Sequence, residues 1–127
     1  METLRARQMR TVLSRMKAVN RGGLPVVIGG DLNSWDSGRT CKPCSVLGSA
    51  GYKNAEAAPT RINVRYPTVN HFTRTLRPGR ARMDMLWVKG LRKAVRWENV
   101  MRVKDGARPS DHNMVVADVR LAGSPPA

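Results

Sequence analysis

The stretch Leu24-Pro25-Val26-Val27-Ile28-Gly29-Gly30-Asp31-Leu32-Asn33 joins a short apolar run to a polar end. The apolar run is rich in β-branched residues and bounded by glycines, which predicts a strand over residues 24–28 that is covered on both faces. Alternate side chains of an extended backbone share a face, so Asp31 and Asn33 would point the same way. A carboxylate and an amide could therefore meet one ligand at the end of this strand.

The rest of the chain shows one helical pattern followed mainly by strand patterns. Apolar residues recur every three or four positions over residues 2–19, which predicts a helix that ends before Gly22 and Gly23. Further along we expect one short helix and four strands, the first two of which would form a hairpin. The helix is placed at residues 45–49 and the strands at 68–75, 83–88, 94–103 and 113–121, the last of them buried. Residues 1–122 would form one domain and residues 123–127 a flexible tail.

Length and charge restrict the class of protein. The 127 residues allow one modest domain, and 41% hydrophobic residues are typical of a globular chain. The longest apolar run is far below the roughly 20 residues that span a bilayer, so no membrane span is expected. The formal charge of +14 favours a polyanion such as nucleic acid, although a generally solvated basic surface would also explain it. No apolar signal segment begins the chain, so we expect a cytoplasmic location unless an upstream start adds one.

Five polar side chains occur where predicted strands meet loops: Asp31, Asn33, Asp84, Asp111 and His112. Each of them alone could be an ordinary turn or cap residue. Functional side chains are usually mounted on such loops, and these five could converge at one end of a sheet. Carboxylate oxygens bind Mg²⁺ or Mn²⁺, and such an ion binds a phosphate group in turn. The pattern therefore suits metal-assisted hydrolysis of a phosphate ester.

Three segments resemble signature segments of a known family. They are residues 26–33 (VVIGGDLN), 82–88 (RMDMLWV) and 109–116 (PSDHNMVV). In this order they look like the last three signatures of the endonuclease/exonuclease/phosphatase superfamily, which includes exonuclease III-like and deoxyribonuclease I-like enzymes. The match spans residues 5–121. Met85 and Asn113 depart from the residues that are common in the family at these positions.

The resemblance implies an α+β fold. Members of the family fold as a four-layer αββα sandwich, in which two β-sheets lie between helices. This chain resembles only the C-terminal half, so we expect about half of that sandwich, with mostly antiparallel β-sheet and flanking helices. A sheet without its partner would expose an apolar face, which favours association with a complementing N-terminal half or self-association.

The resemblance also implies a role for each of the five polar residues. Asp31 would orient or deprotonate the attacking water, and Asn33 would hold that water or a phosphate oxygen. His112 would meet the scissile phosphate, while Asp84 would bond the imidazole ring and fix its tautomer. Asp111 would be a metal ligand.

A divalent-metal-dependent phosphodiester hydrolase, nuclease-like, is the function that these roles imply. A phosphatase that acts on a small phosphate ester and a non-catalytic basic nucleic-acid-binding fragment are the alternatives. The first half of the family fold would supply a metal-binding Glu, and the three glutamates present here, Glu2, Glu56 and Glu98, lie in unsuitable positions. We therefore expect this chain alone to be weakly active or inactive.

The segment Cys41-Lys42-Pro43-Cys44 has the C-x-x-C spacing of a redox site or of half a zinc site. The chain has no second Cys pair, so a complete zinc site is not expected. A redox motif would need a thioredoxin-like context, and here the motif follows a loop. We expect incidental thiols, or a local disulfide if the protein is exported.

The second histidine and the three tryptophans are each candidates for the site or for the core. His71 could touch substrate near the predicted hairpin or be an ordinary strand residue. Trp35 follows Asn33 closely, so it could stack on a base or belong to the core. Trp87 and Trp97 are expected in the core.

Overall fold

A computed structural model describes residues 1–35 and 40–123 of the protein. Two helices, six strands and a short 3₁₀ turn at Ala55–Ala57 are assigned in these residues. The helices are α1 (Glu2–Val19) and α2 (Lys42–Ser49), and the strands are β1 (Val26–Asp31), β2 (Lys53–Asn54), β3 (Thr60–Ile62), β4 (Asp84–Lys89), β5 (Lys93–Val100) and β6 (Met114–Arg120).

The strands form two three-stranded sheets. In the first sheet, β4 lies between β1 and β2 and is antiparallel to both. In the second, β5 lies between β3, which is parallel to it, and β6, which is antiparallel. The expected mostly antiparallel α+β arrangement is confirmed.

One core lies between the helices and the first sheet. Its buried members come from α1, from α2 and the residues that flank it, and from one face of β1 and β4, because alternate residues of a strand point to the same face. We call this cluster the helix-covered core; it consists of Met9, Val26, Cys41, Cys44, Leu47, Tyr52, Met85 and Trp87. A smaller cluster, Ala55, Ala58 and Trp97, packs against half-buried residues of β4 and β6. The two tryptophans expected in the core, Trp87 and Trp97, are confirmed there.

The N-terminal helix is confirmed with the predicted bounds. The side chain of Glu2 in its first turn accepts hydrogen bonds from Ser34 Oγ (2.8 Å) and from the backbone N–H of Lys42 (3.0 Å). A single carboxylate therefore ties the start of α1 to the start of α2 and to the loop after β1.

The first predicted strand is shifted and more exposed than expected. It begins at Val26, after Pro25, which has no N–H to donate to a ladder, and it continues to Asp31. Coverage of both faces is wrong: Val26 is buried in the helix-covered core, whereas Val27 on the opposite face is 53% exposed. An exposed apolar sheet face stays a prediction, because Val88, the cross-strand neighbour of Val27, is buried.

The predicted hairpin of residues 68–75 with 83–88 is wrong. Strand β4 instead pairs with β1 on one edge and with β2 on the other, so residues 68–75 have no ladder to join. They form an irregular segment with one isolated bridge, between Val69 and His112.

The remaining elements differ from the predictions mainly at their ends. Helix α2 begins earlier than predicted, at Lys42, because Cys41 caps it with Sγ accepting from the N–H of Cys44. Strand β5 ends at Val100, and β6 is confirmed in place but half-buried rather than buried, with Met114 exposed. Of the predicted tail, residues 124–127 lie outside the described residues, and the division into domain and tail stays a prediction.

Two further findings concern the cysteines and the helices. Cys41 and Cys44 form a disulfide, so the expectation of incidental thiols is wrong and the local disulfide is the observed alternative. In the described part of the chain, no helix has both the length and the apolar character needed to cross a bilayer. The cytoplasmic location stays a prediction.

Candidate functional site

The ends of β1 and β4 place two predicted carboxylates side by side. Asp31 and Asp84 are directly opposite each other in the antiparallel register, so their side chains share a face of the sheet. Asp84 Oδ2 lies 2.8 Å from His112 Nδ1. A carboxylate oxygen can only accept, so this contact requires the proton on Nδ1 and leaves Nε2 as the ring nitrogen for a ligand.

The surroundings of His112 favour its charged form. Its pKa is raised above the ordinary value, chiefly by the hydrogen bond to Asp84, while partial burial acts in the opposite direction. The negative charges of Asp84, Asp31 and Asp111 raise the pKa further. Four of the five predicted residues therefore interact within one electrostatic cluster.

Asn33 does not continue the strand as predicted. Its backbone has a left-handed φ of 50°, and its N–H donates to Asp31 Oδ1 at 2.7 Å, which is an Asx turn. The argument that alternation puts Asp31 and Asn33 on one face is therefore wrong, because β1 ends at Asp31. The role of Asn33 as a ligand for water or phosphate stays a prediction.

A turn brings Asp111 and His112 to the site. Ser110 Oγ accepts from the N–H of His112 at 3.1 Å, and the carbonyl of Asp111 accepts from the N–H groups of Asn70 (2.7 Å) and His71 (3.3 Å). The backbone of this turn is thus held, while the Asp111 carboxylate is exposed.

Thr68 is a site residue that no motif or periodicity in the sequence indicates. It is fully buried, and its Oγ1 accepts from the N–H groups of Met83 (3.1 Å) and Asp84 (3.2 Å). Its carbonyl accepts from the N–H of Asn113 at 2.7 Å. Thr68 therefore links the strand that carries Asp84 to the segment that carries His112.

Two buried amides complete this link. Asn70 Nδ2 donates to the carbonyl of Ser110 (3.0 Å) and to Asn113 Oδ1 (2.9 Å), and Asn113 Nδ2 donates to the carbonyl of Pro67 (3.3 Å). We call residues 67–74 and 108–113 together the loop pair. Asn113 joins the two halves of the loop pair. Its departure from the family pattern is the one sequence signal that could have pointed to this link.

The donor set fits a metal only in part. Asp31 and Asp111 offer the carboxylate oxygens that Mg²⁺ prefers. Within residues 1–35 and 40–123, however, no three His, Cys, Asp or Glu side chains are grouped so that they could hold an ion. The remaining glutamates have other partners: Glu2 pairs with Arg5, Glu56 with Arg82, and Glu98 with Arg96.

The rings near the site are exposed. Trp35 is exposed, so its assignment to the core is wrong and the stacking role stays a prediction. His71 and Phe72 are also exposed, and both have a left-handed backbone, with φ values of 50° and 59°. A substrate contact by His71 also stays a prediction.

These sheets with their helices define the class as an α+β domain, and the Asp84–His112 pair joins the two sheets. The sequence matches the profile of the Endonuclease/Exonuclease/phosphatase family over residues 3–112, and the chain belongs to this family. No curated protein matches it by sequence.

Solved structures confirm the fold. A mannosyl-6-phosphatase from Bacteroides thetaiotaomicron matches with a TM-score of 0.75 at 20% identity, over 94% of this chain and 46% of that one. An endonuclease/exonuclease/phosphatase family protein from the same organism matches with a TM-score of 0.76 at 19% identity, over 94% of this chain and 46% of that one. A conserved protein of unknown function from Enterococcus faecalis matches with a TM-score of 0.74 at 21% identity, over 94% of this chain and 45% of that one. The chain thus spans about half the length of these structures, as expected for about half of the family sandwich.

Proposed function

We propose that this chain carries the His112 part of a phosphate-ester hydrolase site. The observation that supports this most directly is the 2.8 Å contact of His112 Nδ1 with Asp84 Oδ2 beside the carboxylate of Asp31. A charged imidazole held in a fixed orientation stabilises the negative charge that develops on phosphate oxygens during hydrolysis.

Each residue has a role in the proposed reaction. Water attacks phosphorus, the bond from phosphorus to the ester oxygen breaks, and the leaving oxygen takes a proton from solvent water and departs as the alcohol. Asp31 accepts the proton of the attacking water, and His112 donates a hydrogen bond from Nε2 to a phosphate oxygen. Asp84 holds the ring, and Asn33 contacts the water or a phosphate oxygen.

A divalent ion belongs to the proposal as a cofactor. Members of the family generally use Mg²⁺ or a similar ion, and Asp111 is the carboxylate that we expect to bind it. When bound, such an ion neutralises charge on the phosphate. The described residues supply only part of an ion site, so the roles above are assigned without it.

Nucleic acid is the substrate class that charge favours. The formal charge of +14 attracts a polyanion, and binding should weaken steeply as salt is added. The similarity to a mannosyl-6-phosphatase supports the second candidate, a small phosphate ester. A relic that only binds nucleic acid is the third, and it would need no Mg²⁺.

A complementing polypeptide is the proposed partner. The chain covers less than half of its structural neighbours, and Val27 and Met114 are exposed at the two sheets. Burial of such apolar surface favours association with an N-terminal half or with a second copy.

The test compares the chain with its His112→Gln variant on bis-p-nitrophenyl phosphate, p-nitrophenyl phosphate and plasmid DNA, each with Mg²⁺. We expect weak or no turnover by the chain alone, and any turnover should fall at least about a hundredfold in the variant. Exposed Lys17→Gln in α1, which also removes a positive charge, is the matched control.

If the chain alone is inactive, binding of inorganic phosphate tests the proposal instead. Inorganic phosphate should shift the Nε2 and Cε1–H resonances of His112 in the NMR spectrum, because phosphate would bond to Nε2. Turnover that survives His112→Gln, or His112 resonances that do not move with saturating phosphate, would contradict the proposal.

A further inference from the structure

Arg108 is a buried cation for which packing gives no obvious reason. It is 8% exposed, and its Nη1 has no hydrogen-bond partner among the described residues. Its other groups bond backbone carbonyls: Nε donates to Thr73 (2.5 Å) and Nη2 to Arg74 (3.3 Å). Burying a guanidinium without a carboxylate lowers stability, and no ion pair of Arg108 is found in the described part of the chain. Its position therefore calls for a role other than stability.

The contacts of Arg108 close one end of the loop pair. The two segments run beside each other and are joined by hydrogen bonds at three levels along their length. The isolated bridge between Val69 and His112 lies between the second and the third level. From the Arg108 end these levels are Arg108 to Thr73, Asn70 to Ser110, and Asn113 to Thr68. His112 is thus anchored on both sides, and Arg108 supplies the only charged side chain among these three levels.

The turn that Arg108 holds has an unfavourable backbone. His71 and Phe72 both have left-handed φ values, which bulky L residues rarely adopt. Asn70 Oδ1 accepts from the N–H of Phe72 at 2.8 Å on one side of the turn, and Arg108 bonds the carbonyl of Thr73 on the other. Such a conformation persists only when its surroundings hold it, so removing Arg108 should release the turn.

We propose that Arg108 is a positioning residue for His112. Its guanidinium holds residues 70–74 against residues 108–112, and the N–H groups of Asn70 and His71 in turn hold the carbonyl of Asp111 next to His112. The consequence is a fixed orientation of the imidazole toward Asp84. This inference rests on the proposed function, because it concerns the orientation of the same residue.

The test replaces Arg108 by Met, which keeps much of the side-chain volume and removes the charge and the donors. At one fixed pH, NMR should show the Nδ1–H resonance of His112 in the wild type and its loss or broadening in Arg108→Met. Amide hydrogen exchange at Asn70 and His71 should accelerate at least about tenfold, the factor expected for loss of one charge-assisted hydrogen bond. The matched control is exposed Arg102→Met, which makes the same charge change and should alter neither readout.

A measurement on the wild type covers the case in which Arg108→Met does not fold. The Nε–H of Arg108 should show the same protection factor as the Asn70 amide, that is, the same slowing relative to each group's own unprotected exchange rate, because both open with the loop pair. A freely exchanging Nε–H beside a protected Asn70 amide would overturn the inference, as would an Arg108→Met protein with unchanged resonance and exchange. Neither readout uses turnover, so a failure of the hydrolase proposal in the His112→Gln assay is a separate result.

Discussion

The helix-covered core and the centre of the loop pair both contain fully buried side chains, but these are held by different interactions. Leu47 in the helix-covered core and Thr68 in the loop pair both have 0% of their surface exposed. Leu47 packs by hydrophobic contacts, which have little directionality, whereas Thr68 and Asn70 are placed by hydrogen bonds of defined angle. We infer that the core supplies most of the stability and the loop pair sets the geometry of His112.

Truncation of Leu47 should give the largest loss of stability. Leu47→Ala leaves a cavity under the two helices and should lower the free energy of unfolding by about 2–5 kcal/mol, measured by urea denaturation. As long as the variant is folded, the Nδ1–H resonance of His112 should be unchanged. The control Leu4→Ala, on the exposed side of α1, should change stability by less than about 0.5 kcal/mol. Equal losses for the two variants would contradict the importance of the core.

Removal of the Thr68 hydroxyl should give a smaller loss with a larger effect on the site. Thr68→Val keeps the shape but leaves the N–H groups of Met83 and Asp84 without their acceptor, which should cost about 1–3 kcal/mol. Because the backbone of Asp84 is then free to shift, the His112 resonance should move. Thr11→Val, at an exposed helix position, is the control that should leave both the stability and the His112 resonance unchanged. An unmoved His112 resonance in Thr68→Val would show that packing alone places Asp84.

The same distinction explains what could be predicted from the sequence. Hydrophobic periodicity predicts α1, because burial of one face of a helix leaves a regular pattern, whereas the strand near Val26 is predicted from its continuous apolar run. Asp84 and His112 were identified through their motifs. Thr68, Asn70 and Arg108 act through backbone groups of distant loops, and such bonds leave no period in the sequence. The predicted hairpin failed for a related reason, since the pairing partners of β4 are not its neighbours in sequence.

The smallest expected effect concerns charge, and it depends on pH. The Asp84→Asn variant keeps an acceptor for His112 but removes the negative charge, so the pKa of His112 should fall, as measured by NMR titration in EDTA. The folded-state pKa of His112 is raised, so its contribution to stability is fully present below the unfolded pKa of 6.5 and disappears as the pH rises through the folded value. Wild type should therefore exceed Asp84→Asn in stability at about pH 5.5, by under about 1 kcal/mol for a partly exposed pair, and this part of the difference should vanish near pH 9. The exposed control Asp105→Asn should leave the pKa of His112 unchanged. If the stability difference between wild type and Asp84→Asn instead grows toward alkaline pH, the stabilising partner of Asp84 is not the charged imidazole of His112.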